Sequence, residues 1–109
     1  MQSTSLTELV ADELIQARKA EGGRSIRQVH GATGERLRQV LVTLAADGQL
    51  PDHDRPGEAT LQVLRGRVRF TTVGGGTWQG GPGELLAIPD ERHAVTALED
   101  SAVLLTIVG

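Results

Sequence analysis

The chain has 109 residues and a formal charge of −3 at pH 7, enough for one domain that buries roughly 65% of its unfolded surface in a single core. The acidic balance gives no electrostatic reason to expect a nucleic-acid or anionic-membrane partner. There is no cysteine, which removes disulfide, zinc-thiolate and thiol-nucleophile chemistry and makes a cytoplasmic address the expectation.

Taken in order, Ser5 and Glu8 form a capping box, and Leu6, Leu9, Val10, Leu14 and Ala17 then recur at helical spacing until Gly22-Gly23 ends the run. Residues 1–23 are thus expected to be a helical arm and residues 24–109 one β domain. The only lysine, Lys19, falls on this helix, so neither a phosphate-loop lysine nor a Schiff-base lysine is expected. One amphipathic helix does not make a helix-turn-helix, which leaves DNA reading without an element to carry it. The bland role for such a helix is to pack on a sheet.

From Arg24 onward short apolar runs alternate with turn residues at the spacing of an all-β sandwich or barrel. Strands are expected near Ser25–His30, Arg36–Ala45, Ala59–Leu64, Arg67–Val73, Leu85–Ile88, Ala94–Leu98 and Ala102–Val108. The glycine clusters Gly74-Gly75-Gly76 and Gly80-Gly81-Pro82-Gly83 match no phosphate-cradling pattern and read as hairpin turns. The serines at positions 3, 5, 25 and 101 never fall in a nucleophile elbow. Arg65, Arg67 and Arg69 alternate with Val68 and Phe70, so period-two geometry sends the arginines to an outer face. With Trp78 and Phe70 the only aromatics, there is no stacking platform for single-stranded nucleic acid or sugar rings. Val40-Leu41-Val42 and Leu104-Leu105-Thr106-Ile107-Val108 are apolar on both faces, so something must cover their outer side. The helix and a second copy of the chain both qualify, and a homodimer is expected.

Two further runs carry the chemistry. Gly48-Gln49-Leu50-Pro51-Asp52-His53-Asp54-Arg55-Pro56-Gly57-Glu58-Ala59 closes at Gly66, and Gly83-Glu84-Leu85-Leu86-Ala87-Ile88-Pro89-Asp90-Glu91-Arg92-His93 follows. Together they resemble the two signature motifs of the cupin superfamily. The resemblance implies a cupin-type antiparallel β-barrel, or double-stranded jelly roll, with one N-terminal helix, and in the family three histidines and a glutamate converge on a metal at the barrel mouth. Carried over, Pro51 and His53 match, Arg55 stands at the second histidine position, and Ala59 stands at the glutamate position with Glu58 one place off. In the second motif Gly83 and Pro89 match, Glu91 replaces a glycine, His93 arrives one residue early, and Ala97 stands at the final asparagine position.

Arginine and alanine offer a metal no lone pair, so His53 and His93 are the surviving ligands. A bulge at Pro56-Gly57 would flip the parity of Glu58 and complete a His53, Glu58, His93 set that suits a weakly bound divalent metal. His30 is a further imidazole whose ordinary reading is structural or solvent-facing. A second use of the pocket employs Arg55, whose guanidinium beside His53 and His93 would make the mouth positive and pair with a carboxylate or phosphate. The alternative for Arg55 is an outward pairing with Asp52, Asp54 or Glu58. Two function classes follow: a non-catalytic small-molecule or anion-binding module of sensor or accessory type, and a metal-dependent cupin enzyme of isomerase or oxygenase type.

Overall fold

A computed structural model describes residues 1–109. Helix α1 (Leu6–Lys19) starts where the Ser5 hydroxyl accepts the Glu8 N–H at 3.3 Å, half of the expected capping box. Arg18 and Lys19 occupy its last turn, where cations suit the carbonyl end. A single 3-10 turn, Glu21–Gly23, leads into the sheets.

Nine strands follow: β1 (Arg24–His30), β2 (Leu37–Leu44), β3 (Gln49–His53), β4 (Glu58–Arg65), β5 (Val68–Thr72), β6 (Thr77–Gly80), β7 (Leu85–Ala87), β8 (His93–Ala97) and β9 (Ser101–Val108). They form a five-stranded sheet in the order β1-β2-β9-β4-β7 and a four-stranded sheet in the order β3-β8-β5-β6. Every pairing is antiparallel. The chain passes repeatedly from one sheet to the other, which is the expected all-β jelly roll with one N-terminal helix.

β3 and β6 lie outside the strands expected from the sequence, and both are edge strands of the smaller sheet. Pro51 and two aspartates disguise β3, yet proline is tolerated where no ladder N–H is demanded. β6 is four residues long and ends on Gly80, where any Cβ would collide with the Trp78 ring. One of the glycines expected to be a turn is therefore the floor on which Trp78 lies.

The core between the sheets joins Val42, Leu44, Leu61, Val63, Val68, Phe70, Val95 and Val103, alternate residues of their strands. On the outer side of the larger sheet α1 lays Val10, Leu14 and Ala17 over β1, β2 and the start of β9, burying Leu41, Thr43 and Ala102. The helix thus takes the centre of the doubly apolar strands, and Leu37, Leu85 and Val108 stay exposed on that outer face. Glu13 and Asp100 fix its placement. The Glu13 carboxylate accepts the Ser25 hydroxyl at 2.8 Å, and Arg18 meets Asp100 at 2.6 Å while the other Asp100 oxygen accepts the Ala46 N–H at 2.9 Å. Arg18, and then the Ala46 hydrogen bond, hold the Asp100 carboxyl below its ordinary value.

Candidate functional site

The two signature histidines meet. His53 of β3 pairs directly with His93 of β8, and their rings stand edge to face with centroids 4.2 Å apart. A β-bulge makes this contact. Leu50 pairs with Val95 and His53 with His93, so three residues of β3 advance against two of β8. Plain alternation from the inward Leu50 would turn His53 outward; the extra residue at Pro51-Asp52 restores it to the interior. A parity-flipping bulge was expected, but at Pro56-Gly57 and for Glu58.

Glu58 shows the other side of that correction. Gly57 makes its turn at φ 65°, with no room for a Cβ against the Val108 carbonyl. β4 then runs in regular register, Glu58 opposite Val108 and Ala59 opposite Ile107. Ala59 faces the interior and Glu58 is exposed on the outside. The His53, Glu58, His93 set is therefore not assembled.

Both imidazoles are held the same way. Nδ1 of His53 lies 2.9 Å from the Pro51 carbonyl oxygen, and Nδ1 of His93 lies 2.9 Å from that of Glu91. A carbonyl only accepts, so each Nδ1 carries a proton, and the neutral form of such a ring has its lone pair on Nε2. His93 is 1% exposed and stacks on Phe70 at 4.7 Å. Burial pushes the His93 imidazole below its ordinary 6.5; the Glu91 carbonyl opposes this, His53 adds to it, and Asp52 and Asp54 oppose it.

The pair forms part of the wall of a cavity of about 180 Å³ between the two sheets. The remainder is apolar, with Val42, Leu50, Ala59, Leu105 and Ile107 inside and the exposed Ile26 at the rim. Arg55 is absent from this wall. Its Nη1 donates to the Ile88 carbonyl at 3.2 Å, and its buried Nε has no partner. The guanidinium neither lines the pocket nor pairs with Asp52, Asp54 or Glu58; Asp54 instead faces Arg92 at 3.7 Å. His30 lies apart, beside Gln39 and the residues preceding α1.

A metal is what the motif resemblance implies at this place. The donors present are two imidazole nitrogens, with no third His, Cys, Asp or Glu grouped with them. Two neutral donors in an apolar wall do not fit a resident divalent metal, which takes three or four protein ligands.

Beyond the site, no helix is long and apolar enough to cross a membrane, and no functionally curated protein matches the chain. Among solved structures it is similar to an RmlC-like cupin protein from Desulfovibrio desulfuricans, 30% identical over 99% of this chain and 96% of that one, with a TM-score of 0.79. It is also similar to the DMSP lyase DddQ of Ruegeria pomeroyi, 23% identical over 79% of this chain and 47% of that one, TM-score 0.67. KdgF from Halomonas sp. aligns at 22% identity over 80% and 79% of the two chains, TM-score 0.66. These last two likenesses concern the fold alone. The cupin-domain family model matches residues 40–109, from β2 through both signature runs to the end of β9. With the jelly roll and the paired histidines in place as well, the chain belongs to the cupin family.

Proposed function

We propose that this cupin is a small-molecule-binding module, non-catalytic and of sensor or accessory type, whose ligand occupies the cavity at His53 and His93. The observation that carries the reading is the cavity itself: about 180 Å³ of apolar space in which the two imidazoles are the only titratable side chains. Ligand sites have this composition, a mostly apolar wall with a few placed polar groups. The volume suits one ring, since an apolar cavity of about 150 Å³ admits benzene. A cytoplasmic homodimer, with no nucleic-acid or membrane partner, completes the proposal; the exposed Leu37, Leu85 and Val108 of the outer sheet support the second copy.

The test is uptake of single-ring probes (benzene, phenol and benzoate) by the full chain, followed by ligand-observed NMR. Ala59→Leu narrows the cavity and should reduce binding of every probe, while His30→Ala, outside it, should change nothing. Binding unaffected by Ala59→Leu would place the probes elsewhere and end the reading.

The second reading is a metal-dependent enzyme of isomerase or oxygenase type using His53, Glu58 and His93. One observation favours it: both Nε2 atoms lack a protein partner, as a ligating histidine's would. It requires the outward Glu58 to reverse. Stoichiometric metal retained after dialysis against a chelator at neutral pH would establish it over the first.

A further inference from the structure

The geometry points to an uncharged hydrogen-bond donor on a single-ring apolar body, such as a phenol or a ring alcohol, as the ligand class of the histidine cavity. This rests on the binding reading above and narrows it. Both Nδ1 protons are committed to the carbonyls of Pro51 and Glu91 at 2.9 Å, so in their neutral form the two rings that line the cavity offer it Nε2 acceptors rather than N–H donors. Their centroids are 4.2 Å apart, so a hydroxyl bound at one imidazole lies beside the other.

The rest of the wall excludes an anion. No arginine or lysine lines the cavity, and the guanidinium that would have supplied positive charge, Arg55, is turned to the Ile88 carbonyl. A carboxylate or phosphate would face two acceptor nitrogens and the side chains of Val42, Leu105 and Ile107, losing its hydration with nothing to replace it. An apolar ring fits the space but leaves both acceptors unmatched. A ring bearing one O–H or N–H satisfies the wall and fills the volume.

The experiment uses the full chain in chelator-containing buffer, so that adventitious metal plays no part, and measures the affinities of phenol, benzene and benzoate by calorimetry or NMR titration. Phenol is expected to bind roughly 2- to 13-fold more tightly than benzene, the worth of one net hydrogen bond, and benzoate to bind more weakly than either. His53→Leu, which keeps the wall apolar, should bring phenol down toward benzene while benzene itself changes little. The ¹⁵N spectrum of the imidazoles should show the Nδ1–H tautomer in both rings.

Phenol no tighter than benzene, benzoate tighter than phenol, or an Nε2–H tautomer at either ring would overturn the ligand class while leaving the cavity as a binding site. Failure of all three probes to bind a folded chain would overturn the binding reading as well.

Discussion

Thr43 shows how a single buried atom is tuned by the helix above it. It is fully buried under α1 and its hydroxyl oxygen has no partner, so it bears a desolvation cost without a compensating hydrogen bond. Thr43→Val keeps the shape and removes that atom. The expected outcome is neutral to stabilising by about 1 kcal/mol, read from denaturant midpoints. His93 makes the matching case for a titratable group. Because burial lowers its folded pKa below the ordinary 6.5, the unfolded chain takes up this proton first as pH falls. Stability from the neutral ring is fully present above about pH 6.5 and declines as pH drops through that value toward the lowered folded one. His93→Gln should flatten this part of the stability profile. A wild-type profile that rises on acidification between about pH 7 and 5 would show that the ring gains rather than loses from its proton.

Two elements decide whether the site exists. Helix α1 holds the larger sheet from outside through Leu14, which is 2% exposed, and Leu14→Ala should cost about 2 to 5 kcal/mol, the range for a truncated core leucine. Little or no loss would mean that the arm contributes only marginally to the fold. The β3 bulge acts at the cavity. Deleting Asp52 removes the extra residue and leaves His53 two positions from the inward Leu50, so plain alternation should keep it opposite His93 and the preference for phenol over benzene should persist. Phenol binding that falls to the level of benzene in this variant would show that the parity count does not place His53.

For the molecule as a whole, α1 has already taken the centre of the outer face, and a second copy would have to use Leu37, Leu85 and Val108 at its margins. Sedimentation at micromolar concentration should show a dimer. A single 11.6 kDa species would mean that the helix alone suffices to shield the apolar strands. The crossing between sheets at Arg65-Gly66-Arg67 is held by Ser101, whose buried hydroxyl donates to the Glu99 carbonyl at 2.7 Å and accepts the Arg67 N–H at 3.1 Å. The arginines are exposed but not on one strand as expected: Arg65 ends β4 after a register shift, Arg67 lies in the connection, and only Arg69 alternates with Val68 and Phe70 on β5.

The sequence by itself determined the capped helix, seven of the nine strands, the all-β class and the two histidines, because apolar periodicity, turn glycines and a motif resemblance are local signals. It did not reveal β3 or β6. Both are edge strands; β3 pairs with the distant β8, whereas β6 is the second arm of a short hairpin with β5, and Pro51 and Gly80 make their local signals weak. Which residues share the cavity was decided only in three dimensions. One extra residue in β3 brings His53 inward, the absence of one at Pro56-Gly57 leaves Glu58 outward, and the Ile88 carbonyl just past β7 claims Arg55. Alternation gives each strand residue a side only once the register is known, and a bulge reverses that side without changing the pattern of apolar residues.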